Sequence, residues 1–268
     1  MADAASAPGG LLAADDPAPV EHIDPAGRVD VLLLCDHASP AVPAALCGLG
    51  LEPAALRRHI GWDIGAAAVV RALAQRLGAP AILSGYSRLV IDCNRAPEDP
   101  TSIPSISDGQ GVPGNQELSA TAKGARAEAC FWPYHRAIEA ALDRAAGQGV
   151  VPAILSIHSF TPRFQGFDRP WQAGVLWDRD PRIPVPLLAG LAAAGLVVGD
   201  NQPYSARDPE GFTLRRHAVP RGLPHALIEL RQDEIETDDG VRRFAEHLER
   251  ALAPILADST LYRPALFL

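Results

Sequence analysis

Short, continuously apolar runs alternate along this chain with segments of helical spacing, and several of the runs finish in charged or hydrogen-bonding residues. Strand candidates are 29–35, 80–84, 89–93, 151–157, 173–177, 195–198 and 225–230. An apolar run without polar alternation suits a strand buried on both faces. Between the runs, 63–78 has helical spacing and closes on Gly78, and 119–149 reads as a long helix bent or broken at Pro133. A short helix is expected over 185–195 and a final one over 238–256, with Asp238 or Asp239 as its N-cap. Strands alternating with helices predict a three-layer α/β/α sandwich around a mixed, mostly parallel sheet.

A chain of 268 residues buries a large core, and one domain over 23–268 behind a disordered N-terminal tail, 1–22, is the expected organisation. That tail is rich in Ala, Pro, Gly and Asp and holds no Lys or Arg, so it lacks the charged start of a secretory signal. No apolar run approaches the ~20 residues that cross a bilayer. The expectation is a cytoplasmic protein, monomeric or a small homo-oligomer, with no membrane partner. A net charge of −8 argues against a nucleic-acid partner, which needs a basic face. Cys35, Cys47, Cys93 and Cys130 form no CxxC pair and read as free buried thiols. The Pro-, Gly- and Ser-rich stretch 95–115 reads as a long loop without regular structure, of the kind that is functional or mobile.

In open α/β sheets, ligands bind beyond the carboxyl ends of the strands. The run "VLLL" is followed by Asp36 and His37; "LVI" by Asp92, Asn94 and Arg95; "PAILSI" by His158 and Ser159; "HALI" by Glu229, Arg231 and Asp233. His59 and Asp63 flank Trp62 at the start of a helix. Each group has a plain structural reading as well. A histidine after a strand is often simply hydrogen bonded, Asp63 suits an N-cap, "DCNR" suits a polar turn, and Glu229 suits a salt bridge to Arg231. Several strands aiming polar groups at one crevice make the chemical reading stronger. Two histidines and a carboxylate suit one divalent metal, most naturally zinc, with a position left open for water. A nearby glutamate is then placed to take a proton from that water, and an Asn-Arg pair to hold a substrate carboxylate.

The stretches "CDHAS…P", "HIGWDIGA", "YSRLVIDCNR", "FWPYHRAI", "SIHSFTP" and "HALIELRQDEI" together resemble the N-formylglutamate amidohydrolases, over about residues 30–256. That family is distantly similar to zinc carboxypeptidases and to the aspartoacylase and succinylglutamate desuccinylase group, which implies a phosphorylase/hydrolase-like fold. The resemblance implies His37 and His158 as metal ligands, Glu229 as the catalytic residue, and Asn94 and Arg95 as the grip on the substrate carboxylate. The distant relatives pair their first two ligands as HxxE, but here Pro40 stands three residues after His37 and cannot ligate. Asp63 is the expected third ligand and Asp36 the fallback. Arg88 is expected to add positive charge for a dicarboxylate, His135 to approach the crevice past the break at Pro133, and Arg231 to orient Glu229. Tyr204, Arg216 and His217 lie in or beside a loop-rich segment, 199–224, that reads as a lid.

The implied activity is zinc-dependent hydrolysis of the N-acyl amide of an acidic small molecule such as N-formyl-L-glutamate. The alternatives are another N-acyl amino acid, a peptide or a cell-wall fragment as substrate, or a non-catalytic binding protein on the same fold. No GxGxxG or Walker pattern is present, which disfavours a nucleotide enzyme.

Overall fold

The computed structural model describes residues 10–24, 30–207 and 211–267. Seven strands form its main sheet: β1 Val20–Ile23, β2 Val31–Cys35, β3 Ala81–Ser84, β4 Ala153–Phe160, β5 Ala173–Leu176, β6 Val198–Asp200 and β7 His225–Arg231. Their order is β1-β3-β2-β4-β7-β5-β6. Strands β3, β2, β4 and β7 run parallel to one another. β1 is antiparallel to β3 and β5 to β7, while β6 runs parallel to β5. Helices α1 (Ala66–Leu77), α2 (Trp132–Gly147), α3 (Pro184–Ala193) and α4 (Asp238–Ala257) complete a three-layer α/β/α fold. Among the described residues, no helix is long and apolar enough to cross a membrane.

The period of two along each strand decides where chemistry can sit. Val31, Leu33 and Cys35 pack with Val70 and Leu73 of α1 and Phe244 and Leu248 of α4, while Leu32 and Leu34 turn towards Tyr134 and Ile138 of α2. In β4, Leu155 and Ile157 belong to the α1 layer and Ile154 to the α2 layer, so Ser156 and His158 share the α2 face. In β7, Ala226, Ile228 and Leu230 join the α1 layer, which leaves Glu229 on the α2 face. Burying each of the Val, Leu and Ile side chains among these contributes roughly 1.5–3 kcal/mol. That two-sided burial supports polar residues at the carboxyl ends of the parallel strands.

Several expectations are corrected. Residues 89–93 are buried but form no strand. Their backbone bonds elsewhere: Asn115 Nδ2 donates to Leu89 O at 2.8 Å, Arg126 Nη1 donates to Val90 O at 3.2 Å, and Asp92 N donates to Ser102 O at 2.7 Å. Two side chains and a loop carbonyl thus satisfy groups that a sheet neighbour would otherwise have to meet. The stretch 95–115 is not devoid of regular structure: Ile106–Ser107 pairs with Gln110–Gly111, and a single helical turn spans Pro113–Asn115. The expected tail is ordered at its far end, where Val20–Ile23 forms an edge strand on β3, whereas residues 1–9 lie outside the described residues.

The long helix does change at Pro133, but by widening. Ala120–Arg126 is α-helical, Ala127–Phe131 is a π-helical turn, and α2 follows with Pro133 in its first turn. Proline has no N–H to donate back along the helix, and a π turn absorbs the missing bond. The N-cap of α4 is Thr237, whose hydroxyl accepts from Gly240 N at 3.1 Å, rather than Asp238 or Asp239. Cys35, Cys93 and Cys130 are free and buried as expected, but Cys47 is exposed.

Candidate metal centre and active site

Asp36 and His37 follow β2 directly, and both are buried. His37 O accepts from Asp63 N at 3.0 Å, so the turn after β2 is stitched to the residue that leads into α1. Asp63 does not cap α1; that place is held by Gly65 at φ 82°, where a Cβ would lie 2.5 Å from Ile235 O. The Asp63 carboxylate is left free to face the strand ends.

Three expected ligands meet there. Donor atoms of His37, Asp63 and His158 all lie within 4.8 Å of one another. Asp63 Oδ2 is 3.3 Å from His37 Nδ1 and 2.9 Å from His158 Nδ1. The opposite nitrogens are held by other carboxylates: His37 Nε2 lies 2.7 Å from Asp92 Oδ1, and His158 Nε2 lies 2.9 Å from Asp36 Oδ2. A carboxylate on the far nitrogen fixes an imidazole's tautomer and ring orientation in metal sites. Both Nδ1 atoms therefore converge on Asp63, and this donor set fits a divalent cation. Asp36, the fallback ligand, lies against His158 Nε2 and stands outside the His37–Asp63–His158 group.

The charges bind this cluster tightly. Burial would raise the carboxyl of Asp36, but the hydrogen bond and charge of His158 hold it well below the usual range. Burial is the largest influence on Asp63 and Asp92 and opposes their ionisation, but the charge of His37 together with His158 at Asp63 and Arg88 at Asp92 holds both well below the usual range. His158 is raised well above its ordinary value despite burial, through its bonds to Asp36 and Asp63. His37 is raised by Asp92 and Asp63 against both burial and the Arg88 charge. The three carboxylates thus favour positive charge at the two histidines.

Glu229 stands beside this group. It pairs in register with His158 across β4 and β7, is 6% exposed, and its Oε2 has no hydrogen-bond partner. Burial pushes its carboxyl up to about 7; the His158 charge pulls the other way and Asp63 adds to the rise. A carboxylate near neutrality beside a metal-type donor set is equipped for general acid–base work.

The remaining expected residues divide. Arg88 Nη2 donates to Asp92 Oδ2 at 2.8 Å and Nη1 lies 3.5 Å from Asp63 Oδ1; Arg95 Nε is 3.8 Å from Asp92 Oδ2. Both arginines are partly exposed, at 31% and 24%, so they border the buried cluster. Asn94 Oδ1 accepts from Phe212 N and Thr213 N at 2.8 and 2.9 Å, which ties it to the start of the turn Thr213–His217.

His135 does not face the cluster. Its Nε2 donates to Cys93 O and its Nδ1 accepts from His217 Nε2, both at 2.9 Å, and burial lowers it to about 4. Arg231 bonds Asp233 and Glu234 and the carbonyls of Arg169 and Pro170 rather than orienting Glu229. In the segment read as a lid, Arg216 stacks on Trp132 and Phe212, His217 is fully buried, and Tyr204, 44% exposed, accepts from Arg169 at 3.1 Å. His59 sits 3.1 Å from Asp108, apart from the donor set. Sequence reasoning missed Asp92 as the partner of His37, although "DCNR" carried it, and missed Tyr134, Ser156 and Thr213 around Asp36. A cavity of about 490 Å³ lies between α3 and α4, on the other face of the sheet, and is lined by none of the strand-end residues.

The model of the N-formylglutamate amidohydrolase family matches residues 29–236, most of the chain and every residue of this cluster. The chain belongs to the N-formylglutamate amidohydrolase family. Membership makes it a hydrolase acting on amides. Among solved structures, it is similar to a gene product of Agrobacterium tumefaciens at 35% identity and a TM-score of 0.89, over 92% of this chain and 98% of that one. It shares its fold with an N-formylglutamate amidohydrolase from Ralstonia eutropha JMP134, at 21% identity and a TM-score of 0.67, over 89% and 98%. Among curated proteins, none matches the chain.

Proposed function

We propose that this protein is a zinc-dependent amidohydrolase that removes the N-formyl group from an acidic amino acid such as N-formyl-L-glutamate. The observation that carries the reading is the convergence of His37, Asp63 and His158 beside a buried, unpartnered Glu229 carboxylate. Family membership and the similar N-formylglutamate amidohydrolase from Ralstonia eutropha support the substrate class. His37 Nδ1, His158 Nδ1 and Asp63 would hold the cation. When bound, it supplies a Lewis acid for the amide carbonyl and lowers the pKa of a water molecule.

Glu229 accepts the proton of the attacking water and passes it to the departing amine nitrogen, so one carboxyl serves as base and then acid. Its burial helps twice. It raises the affinity of the carboxylate for the proton it must carry, and it keeps competing water away. Arg95 and Arg88, with the Asn94 amide, bind the substrate's carboxylates at the border of the cluster. The test is formate release across a panel of N-formyl amino acids, with zinc-loaded and chelator-stripped protein. The expected result is zinc-dependent turnover with N-formylglutamate and N-formylaspartate preferred over neutral substrates. Equal turnover of neutral and acidic substrates, or full activity after stripping, overturns the reading.

A further inference from the structure

Asp36 is the most completely bonded carboxylate in the cluster. Its Oδ1 accepts from Tyr134 Oη at 2.8 Å and from Thr213 Oγ1 at 2.7 Å. Its Oδ2 faces Ser156 Oγ at 3.1 Å and His158 Nε2 at 2.9 Å. Two oxygens of a carboxylate offer about four lone-pair sites, so four donors saturate it. The side chain is fully excluded from solvent. A group in this state cannot rotate to meet a ligand of its own, and it holds whatever it touches in one orientation.

We propose that Asp36, clamped by Tyr134 and Thr213, is a positioning residue that fixes His158 with its proton on Nε2 and so presents Nδ1 as a metal donor. The inference rests on the metal reading above and assigns the parts of the chain that set metal affinity. Tyr134 arrives from α2, just past the π-helical turn, and Ser156 from β4 itself. Thr213 arrives from the single helical turn Thr213–His217, whose first N–H groups are held by Asn94 Oδ1. Three separate elements are thus tied through one carboxylate to one imidazole. The tie continues through Asn94, two residues beyond the Asp92 that orients the second imidazole, His37.

The chemistry predicts which replacements matter. Asp36→Asn keeps the size but puts an amide N–H₂ among donors. If that group faces His158, Nε2 becomes the acceptor, the proton moves to Nδ1, and Nδ1 can no longer ligate. Thr213→Val removes a hydroxyl with little change in shape, whereas Thr213→Ser keeps it. Tyr134→Phe removes the other donor. Loss of an outer carboxylate or its support typically costs ~10–100-fold in metal affinity.

The experiment measures zinc dissociation constants by chelator competition and records the visible spectrum of cobalt-substituted protein. Wild type, His158→Ala, Asp36→Asn, Tyr134→Phe, Thr213→Val and Thr213→Ser are compared, together with melting of each metal-free protein. The expected result is zinc binding weakened ~10–100-fold in Asp36→Asn, weakened less in Tyr134→Phe and Thr213→Val, and restored in Thr213→Ser, with altered cobalt spectra in the weakened variants. If Asp36→Asn does not fold, the contrast between Thr213→Val and Thr213→Ser decides. Lower melting temperatures with unchanged zinc affinity and cobalt spectra overturn the inference while leaving the metal reading standing. Wild-type protein that binds zinc no better than His158→Ala overturns the metal reading, and the inference falls with it.

Discussion

Glu229 and His158 face each other in register on two adjacent parallel strands, with both side chains on the same side of the sheet. The alternation in β4 and β7 makes this pairing unavoidable once Ile157 and Ile228 are committed to the opposite layer. The relationship places an unpartnered carboxylate beside an imidazole whose Nδ1 points at Asp63.

Glu229→Gln preserves size and removes the proton acceptor. General acid–base catalysis contributes ~10²–10⁴-fold, and kcat is expected to fall by at least that factor. Bound zinc and KM should change little, because the residue acts on water and the departing amine. A structural salt bridge to Arg231 would forecast the reverse, but Arg231 is bonded to Asp233 and Glu234. Measuring kcat, zinc content and melting temperature on one preparation checks this. Normal turnover in a destabilised protein removes Glu229 from the mechanism.

In the proposed site a metal would compete with protons for His37 and His158. In the metal-free protein both His37 and His158 are raised, so the stability they contribute is fully present below the unfolded value of ~6.5 and is lost as pH rises through their folded values. Zinc bound as proposed would displace those protons, so its affinity is expected to increase with pH. The gain in melting temperature on adding saturating zinc is expected to be larger at pH 8 than at pH 5.5. A gain independent of pH over that interval shows that zinc binds elsewhere.

Much of this arrangement is legible in the sequence, for a physical reason. A strand buried on both faces must be continuously apolar, and its polar successor then stands out, as at Asp36-His37, at His158 and at Glu229. What escapes is pairing between distant segments. Tyr134 and Thr213 meet Asp36 across 98 and 177 residues, and nothing local to a tyrosine or threonine announces such a partner. The run at 89–93 misleads for the opposite reason. Its burial is real, but Asn115 and Arg126 satisfy its backbone, and apolar character reports burial rather than sheet pairing. β1 escapes because an edge strand with two exposed central residues has little apolar signal.

Acid should destabilise the protein through a second histidine pair. His135 and His217 stack at 5.2 Å, and burial lowers them to about 4 and about 3. The unfolded chain takes up these protons from about pH 6.5 downwards while the folded one does not, so stability falls as pH drops from ~6.5 towards 4. His217→Gln removes one of these sites, since glutamine does not titrate. Its melting temperature at pH 7 should be lower than wild type, yet the further loss between pH 7 and pH 5 should be smaller. Equal losses in zinc-loaded wild type and variant contradict a neutral buried His217.

Gly174 provides a check on the geometry behind Glu229. It pairs with Glu229 across β5 and β7, and a Cβ there would lie 1.9 Å from Gln202 O and 3.6 Å from Glu229 Cβ. A backbone carbonyl cannot give way as a flexible side chain does, so Gly174→Ala must move β5 or the chain at Gln202. Overpacking of this kind costs about 1–3 kcal/mol, and kcat should fall as Glu229 shifts. Wild-type stability and turnover in the variant refute this close approach.

The two arginines beside Asp92 should separate by the quantity each one changes. Arg88 bonds Asp92 at 2.8 Å and reaches Asp63 at 3.5 Å, so it supports both the orientation of His37 and the third expected ligand. Arg95 approaches the Asp92 carboxylate at 3.8 Å, from a position at the border of the cluster. Lysine keeps the charge but loses the planar fork that matches a carboxylate. Arg88→Lys is therefore expected to weaken zinc binding and lower kcat as well as raise KM, while Arg95→Lys leaves zinc content intact and raises KM for acidic substrates alone. Hydrogen bonds to charged groups contribute about 1.5–3 kcal/mol, which corresponds to a KM increase of roughly 10–160-fold. A neutral N-formyl amino acid, which lacks the side-chain carboxylate, provides the control. Its KM should respond less to Arg95→Lys than that of N-formylglutamate. If both substrates lose equally, Arg95 holds the α-carboxylate they share; if neither loses, it is not part of the substrate grip.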